Sequence, residues 1–63
     1  MKTYEEAEKY AISLYEDTNI MLDEDTGNYH VVRLFGVEHW KQHFKNIAEV
    51  RVNMVVTKVN END

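Results

Sequence analysis

The chain has no cysteine, no proline and only two glycines among its 63 residues. Without cysteine there is neither a disulfide nor a thiolate zinc centre to support so small a fold. With glycine only at 27 and 36, no glycine-rich phosphate loop can form, and no Pro/Gly-rich linker divides the chain. No apolar run approaches the ~18 residues a membrane span needs, and the opening "MKTYEEAEKY" lacks the apolar segment of a leader. The expectation is a soluble protein of the cytoplasm, with no membrane partner. A chain this short buries only roughly 60% of its unfolded surface. With staples ruled out, good packing or self-association has to supply the rest, and a homodimer is expected.

What is present is acid, and it is unevenly placed. Residues 1–27 hold eight acids against two bases, whereas residues 28–59 hold five bases against two acids. The final "NEND" adds two more acids, for a net charge of −5. An acidic front half repels phosphate, which argues against direct nucleic-acid binding. It suits a basic partner, including a protein that itself binds DNA. Simple solubility is the competing explanation of the charge.

Thr3 and Glu6 have the spacing of a capping box, and Tyr4, Ala7, Ala11 and Leu14 follow at helical intervals. A helix is expected over about residues 3–16, its thin alanine face docking as a satellite. "TNIML" and "YHVVRLF" flank the polar "DEDTGN" and read as a β-hairpin. Val37, Trp40, Phe44 and Ile47 then form a helical stripe, predicting a second helix over about 38–47. "EVRVNMVVTKV" alternates, with Val50, Val52, Met54 and Val56 toward the core and Val55 and Val59 left seeking cover.

The expected fold class is therefore α+β, in the order α-β-β-α-β. It is a three-stranded antiparallel sheet of order 2-1-3 with one helix packed on it and an additional N-terminal helix. One domain covers 1–63: the N-terminal helix to residue 16, a ββαβ unit over 17–59 and a frayed tail over 60–63. The long last strand, at a sheet edge and partly apolar, invites pairing with a second copy.

Several constellations carry little chemistry. His39 and His43 stand at i, i+4, but a metal site needs a third ligand, and nothing in the sequence brings His30 near; no metal and no cofactor are expected. Ser13 lies mid-helix and the carboxylates of "DEDT" lie in an exposed turn, so no catalytic residue is expected. The aromatic pair Trp40 and Phe44 is different. Two rings of about 150–250 Å² each are a large load for three short strands. They read either as core or as a recognition patch rimmed by Lys41, His43 and Lys45.

The stretches "YEDTNIMLDEDTGNYH", "HWKQHFKN" and "VVTKV" together resemble the small phage-encoded inhibitors of uracil-DNA glycosylase that act as homodimers and mimic DNA. The likeness spans roughly residues 15–59 and leaves the first 14 without a counterpart. It implies a protein of the host cytoplasm that blocks the glycosylase's DNA cleft and holds the enzyme's DNA-wedging leucine in an apolar dimer pocket. The family's helix motif, acid-Phe-Glu-x-x-Tyr-Gly-Asn, sets Trp40 at the phenylalanine, Phe44 at the tyrosine and Asn46 at the asparagine. Lys41 replaces the glutamate, His39 the acid and Lys45 the glycine, so the glutamate's contact is in question unless Glu38 supplies it. The partner-binding residues so implied are Val37, Glu38, Trp40, Lys41, His43 and Phe44. The competing expectation is a small acidic interaction protein that inhibits or adapts a different host DNA-binding protein.

Overall fold

A computed structural model gives the fold of the chain and describes residues 1–53 and 55–59. Helix α1 (Tyr4–Ser13) starts where the capping box predicts: the Thr3 hydroxyl oxygen accepts the Glu6 amide at 3.2 Å. Glu5 and Glu6 sit in its first turn, where the helix dipole favours negative charge. It ends at Leu14, and Tyr15 then takes the left-handed conformation with φ of 53°. Helices often close this way, although usually on glycine.

The hairpin follows as expected: β1 (Thr18–Asp23) pairs antiparallel with β2 (Asn28–Arg33). Its turn closes through the Gly27 amide, which donates to the Asp23 carbonyl at 2.7 Å, and Gly27 has φ of +78°. An L-residue adopts that value only under strain. The Asp23 and Thr26 side chains accept the amides of Asp25 and Asn28, which occupies the polar backbone of the turn.

Beyond residue 33 the sequence expectation needs correction. A single 3-10 turn, η1 (Leu34–Gly36), leads into a four-residue helix, α2 (Val37–Trp40), not a helix over 38–47. Lys45–Val50 is strand β3, so Ile47 leaves the helical stripe for the sheet. The expected long last strand is divided: the Val55 carbonyl accepts the Arg51 amide across a turn, and Val56–Lys58 returns as β4. Consequently the sheet has four strands in the order β2-β1-β3-β4, antiparallel throughout, rather than three. The predicted order 2-1-3 survives within it. Val52 and Val55 are exposed in the turn, Val56 and Val59 are half-buried, and Met54 and the tail over 60–63 lie outside the described residues.

The helix gives way at Lys45 because strand hydrogen bonds outbid helical ones there. β1 is the central strand, and β3 supplies the partners for its second edge. Between Ile20↔Ala48 and Met21↔Asn46 the register slips by one residue, leaving Ile47 as the extra residue of a bulge. Asn19 and Asn46 join across it by a side-chain amide hydrogen bond of 3.1 Å.

The alternation of β1 divides the interior in two. On one face Ile20, with Ala48 and Val50 of β3, meets Ala7 and Ala11 of α1, and all five side chains are buried. The helix is thus no satellite. Its alanines have no long side chains to hold it off, so α1 lies close on the sheet. On the opposite face Met21 is fully buried and pairs with His30. Asn19 is buried beside it and is satisfied by Asn46 and by the Arg51 guanidinium, which also donates to the Thr18 carbonyl. Among the described residues no helix is long and apolar enough to cross a membrane.

Candidate recognition site

Gly36 opens the second face to an aromatic stack. A Cβ at Gly36 would stand 3.3 Å from the Val32 side chain and 3.6 Å from the Trp40 ring. The missing side chain therefore lets the indole lie close over the end of β2. The backbone then keeps one more turn of near-helical geometry past α2. The Trp40 carbonyl accepts the amides of both His43 and Phe44 at 2.9 Å, a shared acceptor typical of a helix end. This is why the i, i+4 spacing of Trp40 and Phe44 still brings the rings together although the helix itself is short.

The rings are parallel. Trp40 and Phe44 lie 5.3 Å apart at 3°, and Phe44 and His30 lie 4.6 Å apart at 7°. Phe44 is thus held between an indole and an imidazole from β2. His39 packs edge-on against Trp40 at 5.0 Å. Phe44 is partly buried by this arrangement, while Trp40 keeps 40% of its surface exposed. Each ring is therefore half core and half surface.

The exposed side of the stack borders a groove of about 410 Å³ along β2. Tyr10 of α1 and its C-cap Leu14 line one wall; Phe35, Trp40 and Phe44 line the other. Phe35 is 88% exposed, and Leu34 beside it is exposed as well. Sequence periodicity does not single out Phe35 or Tyr10. Phe35 looks like the end of a strand, and Tyr10 falls off the buried stripe of α1. Their common signal is that both are large apolar side chains at positions the core stripes do not use.

The remaining expected residues lie around this stack. Lys41 and Glu38 form an ion pair at 2.9 Å along one helical turn. Lys41 and His43 line a second, more polar hollow with Glu24 of the hairpin turn and Asn46. Val37 is half-buried, outside the lining of either, and its carbonyl accepts the Lys41 amide. His39 and His43 stand 5.9 Å apart ring to ring. Among the described residues no group of three potential ligands could hold a metal ion. His30 is recruited to the aromatic stack, away from that pair.

On the α1 side, the Tyr4 hydroxyl is buried without a hydrogen-bond partner. Burial, aided by the Glu8 carboxylate, pushes its pKa up to about 12. Lys58 of β4 stands over the Tyr4 ring at 5.0 Å, a cation–π contact.

The chain matches no family model, no curated protein and no solved structure.

Proposed function

We propose that this protein is a binding protein that inhibits uracil-DNA glycosylase by occupying its DNA cleft, acting as a homodimer. The observation that carries this reading is the half-exposed Trp40, backed by Phe44 and His30 at the mouth of an apolar groove. An enzyme that flips bases drives an apolar wedge into the DNA stack. A stack of flat rings beside an open groove offers that wedge a surface like the base stack it normally enters. Acids of α1 and of the hairpin turn give the molecule a negative field. That field steers it toward a basic cleft and slows its association as salt rises. Glu38, Lys41 and His43 form the polar border of the rings, and Val37 supports the turn that carries them.

The test is uracil excision by bacterial glycosylases, with and without a stoichiometric amount of the protein. Excision is expected to stop at one dimer per enzyme and to recover when Trp40→Ala replaces the wild type. Full excision across several glycosylases in the presence of excess folded protein would overturn the reading.

A further inference from the structure

We infer that β2 is the dimer edge, and that two copies join there, antiparallel, about a two-fold axis at Val32. The homodimer is the one part of the proposed function on which this rests. β2 is an outermost strand of the sheet, and its alternation fixes which backbone groups face outward. The Leu34 amide donates inward to the Asp17 carbonyl, so the even-numbered residues of β2 bond to β1. Tyr29, Val31 and Arg33 therefore point their N–H and C=O groups away from the sheet. Tyr29 is already taken, for it exchanges both bonds with the Met1 backbone at 2.6 and 3.0 Å. Among the described residues nothing pairs with the outward N–H groups of Val31 and Arg33 or with the outward Val31 carbonyl, whereas the Arg33 carbonyl caps η1.

Two open amides two residues apart select one self-pairing register. Val31 of one copy pairs with Arg33 of the other and the reverse, the free Arg33 N–H of each donating to the open Val31 carbonyl of its partner. Val32 then lies opposite its own counterpart as a non-hydrogen-bonded pair. A register centred on Val31 would instead set Arg33 against Tyr29, whose groups Met1 occupies.

The layers on either side of β2 fit a second copy. α1 packs across β1, β2 and β3, so it lies over the middle of the sheet, set back from this axis. The two α1 helices would flank the axis, with Tyr10 and Leu14 filling the space between them. On the other face the two Trp40 rings approach across the Val32 pair, which joins the two grooves into one apolar socket. Tyr10, Leu34, Phe35 and Trp40 together expose roughly 400 Å² of side chain, the size of apolar patch that is often functional on a monomer and that a second copy would cover. A lone extended peptide could satisfy the edge, but it has no second layer to cover Tyr10 and Trp40 at once.

The experiment uses the protein alone, without any glycosylase, so that it fails separately from the inhibition. Sedimentation equilibrium is expected to give a dimer. Arg33→Pro removes one outward N–H, and Arg33 already holds φ of −63°, the value proline imposes, so the monomer fold is retained. That variant is expected to sediment as a monomer with an unchanged circular dichroism spectrum. Arg33→Gln, which loses the exposed Glu16 ion pair but keeps the N–H, is expected to remain dimeric. Because the chain has no cysteine, Val32→Cys gives a clean cross-link. Opposed non-hydrogen-bonded positions lie about 4.5 Å apart, within disulfide reach, so oxidation is expected to yield a covalent dimer. Thr57→Cys on the opposite edge strand is expected to yield none. A wild-type monomer at all concentrations, a dimer that survives Arg33→Pro, or cross-linking at Thr57 but not at Val32 would each overturn the inference. A monomer whose inhibition Arg33→Pro nevertheless abolishes would assign the edge to a strand of the enzyme and overturn it equally.

Discussion

The two faces of the sheet are built on opposite plans. Under α1, small side chains (Ala7, Ala11, Ala48) let helix and sheet meet closely, and Ile20 and Val50 fill what space remains. Under α2, large flat rings are stacked with one side left to solvent, above a buried Met21 and a polar pair, Asn19 and Asn46. The first face is closed over its core by α1 and exposes Tyr10 and Leu14 toward the groove. The second carries an exposed indole, and its rings are held by stacking and by one shared carbonyl rather than by a long helix. A chain of 63 residues can thus close one face over a core and leave large rings partly exposed on the other.

That division predicts a gradient of mutational effects. Ile20→Ala on the closed face is expected to cost about 2–5 kcal/mol, much of the roughly 3–9 kcal/mol available to a chain this size. Urea denaturation would measure it, and a loss below ~1 kcal/mol would break the comparison. Overfilling the close helix contact with Ala11→Leu is expected to cost about 1–3 kcal/mol by the same measurement. Trp40→Ala on the open face is expected to cost only about 1–2 kcal/mol of stability, because the ring is already part exposed. The same change should weaken partner binding at least ~30-fold, the signature of an aromatic anchor, read by titration calorimetry. Unfolding of this variant would move the indole to the core.

Two smaller effects sharpen the picture at the ends of α1. Tyr15→Gly is expected to raise stability by about 0.5–1 kcal/mol, since its left-handed backbone suits glycine better than a side-chain-bearing residue. The raised pKa of Tyr4 sets a weak alkaline dependence. The folded state keeps the phenol protonated above its ordinary value of 10, so its contribution is intact below pH 10 and is lost as pH climbs toward 12. Tyr4→Phe is expected to flatten that slope, because it removes the titrating phenol.

Much of this was legible in order along the chain. Thr3 and Glu6 marked the start of α1, Gly27 marked the hairpin turn, and i, i+4 spacing brought Trp40 and Phe44 together. The fate of residues 41–48 was not legible. Ile47 fits the helical stripe as well as it fits a strand, and local pattern alone favours the longer helix. The role of α1 was not legible for a related reason: alanines look like a weak face until a strand with its own alanine, Ala48, lies beneath them.

The sequence by itself determined where elements begin, which turns can form and that two aromatic rings would meet, because capping, turn conformation and helical spacing act over a few residues. Only the tertiary structure decided that the second helix would yield to β3 after Trp40, that His30 would back the rings, and that β2 would be left with an open edge. Those outcomes depend on which strand satisfies the far side of β1. That is a competition for hydrogen bonds between segments more than twenty residues apart, which no local window contains.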